Sequence, residues 1–160
     1  MTTWDWPAEN EAATDRLAAA LAGTAPGQAV VSLRGPLGAG KTRLVRGIAV
    51  ALDVDPAAVV SPTFVLCQTY HGRRRLHHFD AYRLADEDEF LELGADETMA
   101  SEGLTFVEWG ERVEACLPAD RLEIDIQVEG ETRRRFRLDA HGPVSRQWLR
   151  RLQTQLAGDS

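Results

Sequence analysis

The stretch Gly35-Pro-Leu-Gly-Ala-Gly-Lys-Thr42 is the most informative part of this chain of 160 residues. The string fits the pattern G-x-x-x-x-G-K-[ST], in which glycines let successive backbone N–H groups converge on phosphate oxygens. In this pattern the lysine reaches the β- and γ-phosphates, and the final hydroxyl can ligate Mg²⁺. Lys41 is also the only lysine of the chain, which otherwise uses arginine for positive charge. The motif therefore predicts a nucleoside triphosphate site.

The residues on either side of the loop have the patterns that this motif requires. Ala29-Val-Val-Ser-Leu-Arg34 is a short, β-branched apolar run, typical of a buried strand. Residues 43–52 place Leu44, Val45, Ile48 and Leu52 at helical intervals. A plain glycine turn is the alternative, and the order of strand, loop and helix favours the phosphate site.

Length and composition are those of one globular domain. No apolar stretch approaches the ~20 residues needed to cross a bilayer, and no charged-then-apolar signal precedes the start. We therefore expect a cytoplasmic protein without a membrane partner. Cys67 and Cys116 are far apart and unpatterned, so the sequence favours neither a zinc site nor a disulfide.

Charge is unevenly distributed. The formal net charge of −7 argues against a general nucleic-acid clamp, because such binding neutralises phosphates with basic side chains. Arginines nevertheless cluster at residues 73–75 and at residues 133–137. These clusters are interpreted as solvated element ends, with a local patch for an acidic partner or RNA as the alternative.

Periodicity and turn residues predict an α/β domain over residues 1–160. We expect a P-loop NTPase-like three-layer fold with a mixed parallel and antiparallel sheet and hairpin insertions. Residues 1–7 are predicted as a loose start and residues 143–160 as a terminal helix and its tail. The predicted helices lie at 8–21, 43–52, 86–93 and 111–117, the buried strand at 104–107, and the hairpins at 64–79 and 121–138.

Two carboxylates compete for the metal position. Glu108 follows Leu-Thr-Phe-Val107, so it stands at the carboxyl end of a buried strand, where open α/β sheets place their ligands. Asp80 ends the less apolar run Leu76-His-His-Phe79. We predict that Glu108 holds Mg²⁺, directly or through water, and that Asp80 positions or deprotonates the attacking water. The reverse assignment remains open.

Three further features belong near this site. Ser61-Pro-Thr63 resembles a switch loop whose hydroxyl senses the γ-phosphate, with a plain proline turn as its alternative. Trp109 either covers the nucleotide or fills the core. His77 and His78 precede Asp80, and packing or a hydrogen bond to the site is favoured for them over catalysis.

The combined motifs resemble the TsaE (YjeE) family. The resemblance rests on the glycine loop, Ser61-Pro-Thr-Phe64, His78-Phe-Asp-Ala-Tyr-Arg-Leu84 and Glu108-Trp109, in that order, over roughly residues 8–140. The family comprises small bacterial P-loop ATPases needed for threonylcarbamoyl modification of adenosine-37 in tRNA. The resemblance implies slow ATP hydrolysis that resets or drives the TsaD and TsaB subunits. It does not imply transfer of the carbamoyl group by this chain.

The resemblance also assigns roles by position. It implies that Lys41 acts on phosphate with catalytic effect, that Thr42 and Glu108 hold the metal, and that Asp80 is the catalytic carboxylate. The expected nucleotide-binding residues are Gly35, Leu37, Gly38, Ala39, Gly40, Lys41, Thr42, Arg43, Thr63 and Trp109. Pro36 departs from the family, in which many members carry a polar residue there, and no family motif covers the C-terminal helix.

The residues alone leave two other functions open. A small-molecule P-loop kinase would need a lid, for which Arg73-Arg-Arg75 is the candidate. A nucleotide-dependent switch would bind without appreciable hydrolysis. The Asn-Lys-x-Asp string that reads guanine is missing, which favours ATP, and Arg83 is the nearest candidate for an arginine finger in cis. Since the chain is acidic, we expect contact with tRNA to be indirect.

Overall fold

A computed structural model describes residues 2–58 and 66–158, and the strand that leads into the glycine loop lies at its centre. Seven strands of the described residues form one sheet in the order β1-β7-β6-β2-β5-β4-β3. The strands are β1 Thr3–Ala8, β2 Gln28–Arg34, β3 Cys67–His71, β4 Arg75–Asp80, β5 Gly103–Glu108, β6 Leu122–Val128 and β7 Arg134–Ala140.

Four central strands, β6, β2, β5 and β4, are parallel, and antiparallel neighbours extend the sheet on both sides. The hairpins β3–β4 and β6–β7 confirm the two predicted hairpins. All six residues of β5 are buried, as expected of a parallel strand covered on both faces. The mixed sheet predicted from sequence is confirmed.

Helices cover both faces of the sheet. The helices are α1 Glu11–Thr24, α2 Lys41–Ala51, α3 Glu87–Glu92, α4 Ala95–Ala100 and α5 Pro143–Gly158, with short 3₁₀ segments at Pro56–Ala58 and Gly110–Cys116. One core contains α1, α2 and α5 with Val31 and Phe106 of the sheet. The other contains α3, α4 and the 3₁₀ segment at Gly110–Cys116 with Val30 and Val107. Because neighbouring strand residues point to opposite faces, this is the expected three-layer arrangement.

The loose start predicted for residues 1–7 is wrong. Residues 3–8 form β1, which pairs with β7 from Thr3 opposite Asp139 to Ala8 opposite Arg134. Trp4 and Trp6 pack against the larger core with ring centroids 5.7 Å apart. Their alternation is the strand signal that Pro7 obscured, and proline is tolerated because β1 is an edge strand.

Helix boundaries also differ from the predictions. α1 begins at Glu11 rather than at residue 8, because the Asn10 side chain accepts a hydrogen bond from the Ala13 N–H and caps the helix. The predicted helix at 111–117 is a 3₁₀ segment with non-helical angles at Val113. The helix α4 was not predicted. Gly94, in the left-handed conformation, separates it from α3.

The C-terminal helix predicted from residue 143 is present as α5. It packs on α1 and buries Trp148, whose indole N–H donates to the Thr24 hydroxyl at 3.1 Å. Among residues 2–58 and 66–158, no helix combines the length and apolar character needed to span a bilayer.

The close packing of α1 on α2 can be tested with two glycines. A Cβ on Gly47 would lie 2.8 Å from the Ala18 Cβ, whereas a Cβ on Gly23 would meet nothing within 4 Å. Gly23→Ala should raise the free energy of unfolding by up to about 1 kcal/mol, because alanine loses less chain entropy. Gly47→Ala should lower it by about 1 kcal/mol or more through overpacking. Urea unfolding measures both, and a stabilised Gly47→Ala variant would contradict the helix contact.

Candidate nucleotide site

The glycine loop connects β2 to α2 through backbone conformations that favour glycine. Gly35, Gly38 and Gly40 have φ angles of 146°, 78° and 109°. A Cβ on Gly35 would also lie 2.8 Å from the Ile126 carbonyl oxygen, so a side chain does not fit there. No atom lies within 4 Å of a Cβ built on Gly38 or Gly40. At these two positions glycine is therefore favoured by the positive φ angle and not by a lack of room for a side chain.

Lys41 is the first residue of α2, and its side chain is turned back into the loop. The residue is 5% exposed, and the ammonium donates to the carbonyl oxygens of Gly35 at 2.6 Å and Pro36 at 3.0 Å. It also lies 4.2 Å from the centroid of the Trp109 ring. Burial lowers the pKa of Lys41, and the charges of Glu108, Glu111 and Asp80 oppose that shift.

The two predicted carboxylates meet at one edge of the sheet. Because β4 and β5 are parallel neighbours, Asp80 lies opposite Glu108 in the register. Glu108 is buried, and the Thr42 hydroxyl donates to its Oε2 at 3.1 Å and to its Oε1 at 3.3 Å. His78, buried two residues before Asp80, contacts Glu108 Oε2 through its Nε2. The predicted hydrogen bond from a histidine to the site is therefore present.

Asp80 is partly buried beside this cluster. Its Oδ1 accepts the backbone N–H of Tyr82 at 2.9 Å, which fixes the carboxylate at the end of β4. Burial raises the pKa of Asp80, and the nearby Glu108 charge raises it further. The Tyr82 hydrogen bond and the charges of His78 and Arg83 act in the opposite direction.

Trp109 follows Glu108 in a left-handed conformation with φ 60°. Its N–H donates to the Leu33 carbonyl at 2.9 Å, and its ring packs against the Tyr82 ring at a tilt of 40°, with centroids 5.0 Å apart. Part of the ring packs against the smaller core. The indole therefore borders both the smaller core and the site.

These groups border a cavity of about 500 Å³, within the size range of roughly 300–1,000 Å³ of small-molecule sites. It is lined by Leu37, Gly38, Gly40, Lys41, Thr42, Arg43, Asp80, Tyr82, Arg83, Glu108 and Trp109. Gly35 and Ala39, both predicted to bind nucleotide, do not line it. Thr63 and the rest of the Ser61–Thr63 segment lie outside the described residues.

Tyr82 lines the site although it was not among the predicted site residues, and the arginine triplet proposed as a kinase lid lies elsewhere. Tyr82 lies inside the His78–Leu84 motif, and its position two residues after Asp80 was the available signal. Arg73 and Arg74 lie in the turn before β4, where Arg73 pairs with Asp53 at 3.0 Å and Arg74 donates to the Ala25 carbonyl at 3.1 Å. The strand β4 begins at Arg75 and ends at Asp80, so the triplet lies at the far end of the strand from the site. It is therefore not a lid over this site.

Comparison with known proteins places the chain in a family. The sequence model described as "Threonylcarbamoyl adenosine biosynthesis protein TsaE" matches residues 8–136. The chain belongs to the TsaE family.

Several TsaE proteins are similar to this chain over most of their length. The Bacillus subtilis (strain 168) protein is 38% identical over 86% of this chain and 85% of its own, and the Aquifex aeolicus protein is 39% identical over 81% and 91%. Both are described as tRNA threonylcarbamoyladenosine biosynthesis proteins. The crystal structure of Bacillus subtilis YdiB superposes with a TM-score of 0.79 at 29% identity, covering 100% of this chain and 99% of that one. The role of the chain lies in tRNA threonylcarbamoyladenosine biosynthesis.

Because the pKa of Asp80 is raised in the folded protein, we expect the stability of the fold to depend on pH. The folded protein holds this proton more tightly than the unfolded chain, so stability falls as pH rises from the ordinary aspartate pKa through the folded one. Asp80→Asn cannot ionise, and its Oδ1 can still accept the Tyr82 N–H. It should melt above the wild-type temperature at pH 7.5, with the difference shrinking toward pH 4. A difference that is constant across this range would contradict a buried ionised carboxylate.

Proposed function

We propose that this TsaE protein binds ATP with Mg²⁺ and hydrolyses it as an accessory to threonylcarbamoylation of adenosine-37 in tRNA, acting with the TsaD and TsaB subunits. The observation that carries the proposal is the buried Lys41 ammonium, which shares one cavity with Thr42, Glu108 and Asp80. A cation, a hydroxyl and two carboxylates around a glycine loop are the groups that phosphoryl chemistry requires.

The loop supplies the groups that would bind the triphosphate. Gly38 and Gly40 line the cavity, and α2 directs its N-terminal end, with the positive end of the helix dipole, toward the same space. The Lys41 ammonium now donates to two backbone carbonyls. Phosphate oxygens are stronger acceptors for an ammonium group than neutral carbonyls are, because both partners of the hydrogen bond are then charged. The side chain would therefore exchange these partners when the triphosphate enters.

Thr42 and Glu108 fit a magnesium site. Mg²⁺ prefers oxygen ligands and usually binds one or two carboxylates together with substrate phosphates. The Thr42 hydroxyl and the Glu108 Oε2 already meet at 3.1 Å, and His78 contacts the same oxygen. When bound, the ion would neutralise charge on the phosphate oxygens. The contact between Thr42 and Glu108 supports the metal role for Glu108 rather than for Asp80.

Asp80 is then the candidate for orienting and deprotonating water. It lines the same cavity at the neighbouring strand end, and its carboxylate is fixed by the Tyr82 N–H. A pKa raised by burial makes a carboxylate a better proton acceptor when ionised. Arg83 also lines the cavity and could stabilise developing charge in cis.

The accessory role explains why the site would turn over slowly alone. In related phosphoryl-transfer proteins a partner often completes the catalytic set or orders a loop. The net charge of −7 supports contact with tRNA through protein subunits rather than directly. The kinase alternative loses its support because the arginine triplet lies at the start of β4, away from Asp80 at its other end, and contacts Asp53 and Ala25.

Binding and turnover of ATP by single variants test this proposal. Lys41→Ala should weaken ATP binding by roughly tenfold to a hundredfold, the usual value of a hydrogen bond to a charged group. Arg46→Ala removes one positive charge from the same helix and should bind as the wild type does. Asp80→Asn should still bind ATP and lose roughly 10²- to 10⁴-fold in phosphate release.

Calorimetry measures binding, and phosphate release is followed with TsaD and TsaB present. Equal ATP affinity of wild type and Lys41→Ala would refute the assigned binding site. Undiminished phosphate release by Asp80→Asn would remove the catalytic role of this carboxylate and favour the reverse assignment with Glu108.

A further inference from the structure

Arg134, the first residue of β7, makes a hydrogen bond to the glycine loop. Its Nε donates to the Ala39 carbonyl oxygen at 2.8 Å. In the sheet β6 separates β7 from β2, so this side chain reaches past the end of β6, where Arg134 pairs with Val128. The hairpin β6–β7 thereby contacts the loop that follows β2.

The same guanidinium is anchored in the turn of that hairpin. Its Nη1 donates to the carbonyl oxygens of Gly130 at 2.8 Å, Arg133 at 2.9 Å and Glu131 at 3.3 Å. One planar group thus joins the turn at residues 129–133 to the glycine loop. An ammonium has no comparable fork of donors, so lysine could not hold both sides in this geometry.

We propose that Arg134 is a positioning residue that sets the glycine loop for nucleotide binding. The Ala39 carbonyl and the Gly40 N–H belong to one peptide unit, and they point in opposite directions because the bond is planar and trans. Holding the carbonyl toward β7 therefore directs the Gly40 N–H away from it. Gly40 lines the large cavity, whereas Ala39 is fully buried. The inference rests on the proposed binding of a nucleotide there.

The space behind the glycine loop is incompletely packed. A second cavity of about 50 Å³ lies between the glycine loop, α1 and the hairpin turn. It is lined by Glu11, Thr14, Ala39, Gly40, Arg43, Glu131, Thr132, Arg134 and Phe136. Because this space is not filled by side chains, the Arg134 hydrogen bond adds a direct contact between the hairpin and the loop where packing is incomplete.

The neighbouring arginines of this cluster have different partners. Arg133 pairs with Glu9 at 3.2 Å, Arg135 with Glu129 at 3.2 Å and Arg137 with Asp5 at 3.3 Å, and all three are substantially exposed. These pairs fit the solvated-surface interpretation made from sequence. Arg135 is therefore a matched control, because its removal costs the same charge on the same strand without touching the glycine loop.

Titration with Mg²⁺ and ATP should compare wild type, Arg134→Ala, Arg134→Lys, Arg135→Ala and Lys41→Ala. Loss of a charged hydrogen bond predicts about tenfold or greater weakening for Arg134→Ala, and Arg135→Ala should stay within about twofold of wild type. Arg134→Lys keeps the charge and the stem, and should still bind more weakly than wild type. Thermal unfolding identifies any variant that does not fold.

Hydrogen exchange of the nucleotide-free protein provides a readout that a general charge effect would not change. The peptide covering residues 35–42 should exchange faster in Arg134→Ala than in wild type or Arg135→Ala. Equal affinity and equal exchange for the Arg134 and Arg135 variants would overturn the positioning role while leaving the proposed function intact. If wild type itself binds no ATP, the proposed function fails, and this exchange measurement still decides whether Arg134 holds the loop.

Discussion

An ammonium group held inside a glycine loop is the interaction on which this structure depends. Lys41 is almost fully buried, between two backbone carbonyls, an indole ring and nearby carboxylates. Burial disfavours its charge, as the lowered pKa indicates, and the carboxylates only partly compensate. A group kept in such surroundings is suited to a strongly anionic ligand. The burial of Lys41 therefore connects the fold of this TsaE protein to its proposed chemistry.

The parallel register brings the remaining groups to that ammonium. The end of β2 leads into the loop, and β5 and β4 end beside it with Glu108 and Asp80 in register. Residues of the two hairpins also contact this site. His78, on β4, holds Glu108, and Arg134, on β7, holds the loop. The hairpins are thus part of the site's framework as well as extensions of the sheet.

Much of this arrangement could be predicted because it follows from local patterns. The glycine loop has a fixed spacing, and Glu108 follows a buried apolar run, so both were located from sequence. Other features depend on contacts between distant segments. The strand β1 forms because it pairs along β7, although residues 1–7 by themselves predict a loose start. Arg134 lies between two other arginines, Arg133 and Arg135, and nothing in the sequence distinguishes it from them. Only the tertiary structure shows its contact with the loop.

A crystal structure of the protein with Mg²⁺ and a non-hydrolysable ATP analogue would show directly whether Lys41 and the glycine loop bind the triphosphate. We expect the triphosphate in the glycine loop, with the Lys41 ammonium transferred from the Gly35 and Pro36 carbonyls to phosphate oxygens. We also expect the metal between the phosphates, Thr42 and Glu108. A nucleotide bound elsewhere, or a Lys41 side chain still bonded to both carbonyls beside a bound analogue, would refute the proposed role of Lys41.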